Sequence, residues 1–239
     1  MIYFDEEDSL YCYEGSQVLK NKYGITDPDE LEEIEKEITS TKISELKASC
    51  PMKNKFNFEY YKKIHYFLFE ELYEWAGQIR KVRIKKGGFP FAYPKNIERE
   101  GERIFSELKN ENQLKEYTFE KFIKRMAYFM TELNALHPFR EGNGRVNRIF
   151  FRDLAEEKGY DLNFEAIEKE KYLQAIIKAT VESNDDLLVN VLKTCIKWLI
   201  KRVWLKRTEM IPWKHLNSPI KNRKRQSPFH RRWNVVNVK

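Results

Sequence analysis

Apolar positions recur at helical spacing along most of the chain. After an acidic, aromatic-rich lead-in (residues 5–27), Asp27-Pro28 supplies an N-cap and a first-turn proline. In the segment that follows, 29–46, Leu31, Ile34, Ile38, Ile43 and Leu46 fall near one helical face. A second helix is predicted over 57–76, capped by Asn57 and ended near Gly77. Its stripe is Tyr61, Ile64, Phe67, Leu68, Leu72 and Trp75. The period then changes. Val82 and Ile84 alternate with Arg83 and Lys85, Gly87-Gly88 can turn, and Phe89-Pro90-Phe91 can return, which predicts a short hairpin within 77–97. Helical periodicity resumes at 97–110, 118–136, 144–158 and 165–182, and in a last amphipathic helix from Asp186 to Trp204. The fold class expected is all-α, a helical bundle carrying one β-hairpin.

Composition changes this picture at one end only. With 41% hydrophobic residues and 16 Phe, 13 Tyr and 5 Trp in 239 residues, there is material for a large core. The net charge of +7 is unevenly spread: residues 201–239 hold twelve Lys and Arg against the single acid Glu209, so the body is mildly acidic. Two regions are therefore expected, a domain over 1–200 and a basic extension over 201–239, the latter largely disordered. No apolar run is long enough to span a membrane, and the acidic start does not resemble a signal peptide. Cys12, Cys50 and Cys195 lack metal-ligand spacing and read as reduced thiols of a cytoplasmic protein.

One stretch breaks the helical pattern with concentrated chemistry: HPFREGNGRVNR, from His137 to Arg148. The preceding helix ends near His137 because Pro138 discourages its continuation. A second starts near Gly144, so Gly142-Asn143-Gly144 lies at a helix N-terminus, where backbone N–H groups and the helix dipole attract anions. Arg145 and Arg148, three apart, share a face of the first turn. A neutral His137 can take a proton from a hydroxyl. The Glu141 carboxylate beside phosphates can hold Mg²⁺. Base, metal ligand, anion nest and two arginines suit phosphoryl or nucleotidyl transfer. A zinc site is not supported, since no third His or Cys lies near His137 and Glu141, and the phosphate-loop pattern is absent.

The same stretch resembles the Fic family motif HPFx[D/E]GNGRxxR at every defined position: His137, Pro138, Phe139, Glu141, Gly142, Asn143, Gly144, Arg145 and Arg148. Residues 11–25 are similar to the lead-in of bacterial Fic proteins and 75–88 to the family's flap, so the likeness covers about 5–200. It implies an α-helical bundle with a hairpin flap, and transfer of AMP from ATP to a Tyr, Ser or Thr hydroxyl of a target protein. By that resemblance His137 is the general base, Glu141 holds Mg²⁺, Gly142, Asn143 and Gly144 cradle phosphates, and Arg145 and Arg148 neutralise the β- and γ-phosphates. Phe139 is expected to pack inward and fix the loop. Gly144 stands where the phosphorylating Doc branch has Lys, which favours AMP over phosphate transfer. The exposed flap edge would align a target segment by main-chain pairing, with Lys86 and Gly87 approaching the nucleotide. A strand-breaking Val82→Pro change should disrupt that edge. The base pocket is expected in 165–190, including Tyr172 and Asn184.

Many family members carry an internal inhibitory helix with the pattern [S/T]xxxE[G/N]. No match exists here: Glu14-Gly15 and Glu111-Asn112 lack the upstream hydroxyl, and Thr26 and Glu30 are followed by Leu31. The resemblance then implies the toxin-like class, in which a small antitoxin supplies a Glu to Arg148. Two other readings stay open: a transferase of phosphate or another nucleotide, and a nucleic-acid or anionic-surface binder acting through the tail, where the KNRKR run lies among Trp213, Phe229 and Trp233.

Overall fold

The computed structural model describes residues 2–4, 10–49, 56–86 and 88–199. The chain divides into two units, Met1–Trp204 and Leu205–Lys239, and every described residue belongs to the first. Among the described residues are seven α-helices, three single-turn 3-10 helices and two small antiparallel sheets, with the helices and strands in the order β1 (Ile2–Phe4), α1 (Pro28–Ser49), α2 (Phe58–Phe69), β2 (Ile84–Lys86), β3 (Phe89–Pro90), α3 (Ile97–Asn110), α4 (Phe119–Leu136), α5 (Asn143–Glu157), β4 (Tyr160–Leu162), α6 (Lys169–Glu182), α7 (Asp186–Cys195) and β5 (Ile196–Trp198). None of these helices is long and apolar enough to cross a membrane.

Local chemistry sets the helix starts. The Asp27 carboxylate accepts the Asp29 and Glu30 N–H groups at 3.1 and 2.8 Å, and Asn57 accepts the Tyr60 N–H at 2.8 Å. Helix α4 is the hub, in contact with α3, α5, α6 and α7. Nine of its residues are buried, from Phe122 to Leu136. The core is aromatic: Tyr61 lies against Phe105, Phe139 and Phe150, in the offset and edge-on arrangements that ring quadrupoles favour.

Three boundaries differ from the sequence reading. Helix α2 stops at Phe69, not near Gly77. The Leu72 and Tyr73 N–H groups both turn back to the Phe69 carbonyl, and Trp75 stacks on Tyr73 with centroids 4.4 Å apart. The chain so folded lets the Gly77 N–H, at φ +76°, reach the His65 ring. Val82 lies outside the hairpin: its carbonyl is taken by the Arg80 guanidinium, and pairing starts at Ile84. The last helix ends at Cys195 and does not reach Trp204. Ile196–Trp198 pairs with β4 in the register Ile196↔Leu162, Lys197↔Asp161 and Trp198↔Tyr160. That pairing buries Ile196 and Leu162, opposes unlike charges, and sets Trp198 on Tyr160 at 4.4 Å. Residues 200–204 and the 201–239 extension lie outside the described residues.

In the first sheet β2 is the central strand. β3 lies on one side, and β1 pairs on the other with Ile2↔Lys86, Tyr3↔Lys85 and Phe4↔Ile84. The outer edge of β2, expected to be exposed, is therefore covered by the chain's own N-terminal segment.

Candidate active site

The loop between α4 and α5 forms the floor of a cavity of about 440 Å³. His137 ends α4 in the left-handed region, at φ +46°. Its Nδ1 lies 3.0 Å from the Asn134 carbonyl. A carbonyl only accepts, so Nδ1 carries the proton and Nε2 is left as an acceptor. The ring is stacked under Phe91 from the flap, centroids 3.7 Å apart. Burial pushes its pKa down to about 3, with Arg80 and Lys86 acting in the same direction against the Asn134 bond. The imidazole is therefore neutral at physiological pH.

Buried groups brace the rest of the loop. Phe139 is fully buried and stacks on His65 at 3.9 Å. The Asn143 side chain bonds both ways to the Phe139 backbone: Oδ1 accepts its N–H at 2.9 Å and Nδ2 donates to its carbonyl at 2.8 Å. That amide braces the loop, and the Asn143 backbone N–H is the group at the α5 N-terminus that faces an anion. His65 is held in one tautomer: Gly77 N–H donates to Nδ1 at 2.8 Å, and Nε2 donates to the Glu141 carbonyl at 3.0 Å. Burial lowers its pKa to about 3, aided by Arg145.

Gly142, with φ +81°, is the N-cap of helix α5. The Glu141 carboxylate accepts the Gly142 N–H at 2.9 Å and lies 3.6 Å from Arg145. The two arginines differ sharply. Arg145 is paired with Glu35 of α1 at 2.5 Å, reaches Thr39 at 3.5 Å and packs over Phe69; Tyr73 donates to the same Glu35. Arg148 has no carboxylate partner among the described residues. Its guanidinium lies over the Tyr172 ring, 5.9 Å from the centroid, and burial lowers its pKa. A largely buried cation without a counter-ion is costly unless an anion completes it.

His137, Glu141, Gly142, Asn143, Gly144, Arg145, Arg148 and Lys86 all line this one cavity, as does Tyr172. Gly87 lies outside the described residues. Asn184 does not join them: its side chain accepts the Asp186 N–H at 2.9 Å and caps the start of α7. The opposite wall, Leu173, Ile176, Ile177 and Val181 of α6, falls within the 165–190 segment expected to form the base pocket, although the sequence reading named none of these four. It also missed Asn147, whose Nδ2 donates to the Met130 carbonyl while its buried Oδ1 has no partner, and Glu35, for which no local signal exists.

Apolar walls, a helix N-terminus, an unpaired guanidinium and a neutral imidazole suit a bound nucleotide. For Mg²⁺, the donor set is one carboxylate, Glu141, and no cluster of three or more potential ligands exists among the described residues. One carboxylate completed by phosphate oxygens is how Mg²⁺ binds with nucleotides, so the residues fit a metal that arrives with its nucleotide.

The model of the Fic/DOC family matches residues 55–155. A Sinorhizobium fredii protein named "Probable protein adenylyltransferase y4lH" is 36% identical over 180 residues, covering 75% of this chain and 92% of its own. "Protein adenylyltransferase VbhT" of Bartonella schoenbuchensis is 35% identical over 199 residues, covering 80% of this chain and 41% of that one. Among solved structures, the N-terminal Fic domain of a VirB-translocated Bep effector protein of Bartonella quintana, with bound ADP, superposes with a TM-score of 0.75. It is 30% identical and covers 80% of this chain and 95% of its own. BepC of Bartonella tribocorum, with bound AMPPNP, gives a TM-score of 0.74 at 29% identity, covering 80% and 97%. With the motif assembled around one cavity and relatives matching over three quarters of its length, the chain belongs to the Fic/DOC family.

Proposed function

We propose that this protein is an adenylyltransferase that moves AMP from ATP to a Tyr, Ser or Thr hydroxyl of a target protein. The target oxygen attacks the α-phosphorus, the bond to the bridging α–β oxygen breaks, and pyrophosphate leaves. The hydroxyl proton passes to His137 Nε2. The observation that carries this reading is the His137 tautomer: Nδ1–H is fixed on the Asn134 carbonyl, so a neutral acceptor stands in the cavity that holds the α5 N-terminus and Arg148.

The other groups take roles that their geometry supports. The Asn143 and Gly144 backbone N–H groups and the Arg148 guanidinium hold the phosphates, while the Gly142 N–H is taken by the Glu141 carboxylate. Arg145, tethered by Glu35, contributes positive potential from the side. Glu141 would hold Mg²⁺, which supplies charge neutralisation on the phosphate oxygens when bound. A target segment pairs along the flap. The outer edge of β2 already takes β1 as an extended antiparallel strand, which supports strand pairing there, and a target segment gains that edge by displacing Ile2–Phe4. Arg148, lacking a carboxylate, is also where a Glu from a small antitoxin would dock, and the protein would then be the toxin of a pair. A small protein that co-purifies with the wild type and is lost from Arg148→Ala would bear this out.

The decisive experiment compares ATP labelled at the α-phosphate with ATP labelled at the γ-phosphate, in a bacterial lysate with Mg²⁺ and with His137→Ala as control. Protein labelled only from the α-position, and not by the variant, is expected. Label retained only from the γ-position would assign phosphate transfer instead.

A further inference from the structure

We infer that Arg80 is a positioning residue that makes the flap and His137 a single unit, so that the docked target and its base are placed by one side chain. Arg80 is 1% exposed and its guanidinium has no carboxylate partner among the described residues. Nε donates to the His137 carbonyl at 2.7 Å, Nη1 to the Val82 carbonyl at 2.7 Å, and Nη2 to the Ala92 carbonyl at 2.6 Å and the Leu136 carbonyl at 3.4 Å. Val82 precedes β2 and Ala92 follows β3, so these two acceptors are the two feet of the hairpin. Leu136 and His137 end α4, where helix carbonyls lack partners and the dipole favours a cation. The backbone adds two parallel ties: Arg80 N–H to the Pro138 carbonyl at 2.9 Å and Ala92 N–H to the Ala135 carbonyl at 3.1 Å.

A planar fork with five N–H groups can hold three chain segments at once, whereas a lysine ammonium cannot reproduce that geometry. The buried charge explains why the position is demanding: burial lowers the Arg80 pKa to about 10, Arg140 acts in the same direction against Tyr11, and the guanidinium's hydrogen bonds among the described residues all go to carbonyls. The anion loop hangs on other groups, His65 and Asn143. Loss of Arg80 should therefore spare nucleotide binding and misplace the base relative to the target.

The inference rests on the proposed role of His137, so its test includes a readout that needs no catalysis. In full-length Arg80→Lys, the His137 ring resonances and the Lys85 and Lys86 amides should move together in NMR spectra, while Gly142 and Gly144 stay in place. The Kd for ATP should remain within about twofold of wild type. For the acceptor protein identified by labelling, KM should rise and kcat fall, giving about a 100-fold loss in kcat/KM, the size expected of a misplacement near 1 Å. Arg80→Gln is the second variant. Resonances that move at only one of the two places, or unchanged transfer, would overturn the inference. So would ATP binding that falls in step with activity, or failure of both variants to fold, because a plain structural brace predicts these. If the wild type transfers no AMP to any protein, the functional reading fails, and the NMR comparison still decides whether Arg80 couples flap and histidine.

Discussion

Gly142 and Gly144 lie two positions apart and are glycines for different reasons. Gly142 sits at φ +81°, and a Cβ there would fall 2.3 Å from the Phe69 ring. At Gly144 the backbone is ordinary, and a Cβ would meet only Arg148 Nη1, at 3.5 Å. The fold thus requires the first glycine, while the second keeps space clear above the unpaired guanidinium. Gly142→Ala should lose at least about 2 kcal/mol in urea denaturation, through strain and overpacking. Gly144→Ala should keep its midpoint yet bind ATP about tenfold more weakly in calorimetric titration, as a methyl group intrudes on the phosphates. The histidine behind the loop gives a second prediction. The His65 pKa is about 3 when folded, against an ordinary value near 6.5. The unfolded chain therefore binds the extra proton between those values. The resulting stability is complete above about pH 6.5 and drains away as pH falls toward 3, by up to about 1.4 kcal/mol per pH unit. Wild type should lose stability over pH 6.5–4 more steeply than His65→Gln, as read from urea midpoints at each pH. None of these partners could be read from the motif string. His137, Glu141 and Arg148 announce their chemistry by residue type and spacing. The commitments of Asn143 to Phe139 and of Arg145 to Glu35 depend on contacts that the chain makes only once folded.

Among the elements, the flap departs most from its sequence pattern. Alternation suggested a strand from Val82, but the Arg80 guanidinium claims the Val82 carbonyl, and the ladder is only three residues long on β2. A proline at Val82 would therefore miss the strand. Lys85→Pro removes an N–H from the middle of the central strand and should abolish labelling of protein targets while leaving the Kd for ATP unchanged. Labelling at the wild-type rate would show that targets do not dock by strand pairing. Helix positions were legible because α2 through α5 carry strong apolar stripes, although only α2 among them has a side-chain cap, from Asn57. The end of α7 was not. Ile196-Lys197-Trp198 continues the amphipathic pattern, yet pairing with β4 buries Ile196 and stacks Trp198 on Tyr160, and tertiary contact overrides local periodicity. Asn184 misled for a related reason: an Asn just before a helix is a cap more readily than a ligand.

For the whole molecule, the question is how far chemistry is confined to the helical unit. Every cavity-lining residue lies between Lys86 and Val181, whereas the excess positive charge lies in 201–239. A protein truncated after residue 200 should transfer labelled AMP at the full-length rate. If the extension binds nucleic acid, full-length protein alone should shift a DNA probe at low salt, and that affinity should fall by orders of magnitude between about 50 and 200 mM salt. Far from the extension in sequence, β1 holds the outer edge of β2, so Ile2–Phe4 lies along the flap. A segment joined ahead of Ile2 is then carried to the edge that a target must win from β1. An amino-terminal affinity tag should raise the apparent KM for the target relative to the same tag at the carboxyl end, and proteolytic removal of the tag should restore it. Screens for targets of this protein are best run with the amino terminus left bare.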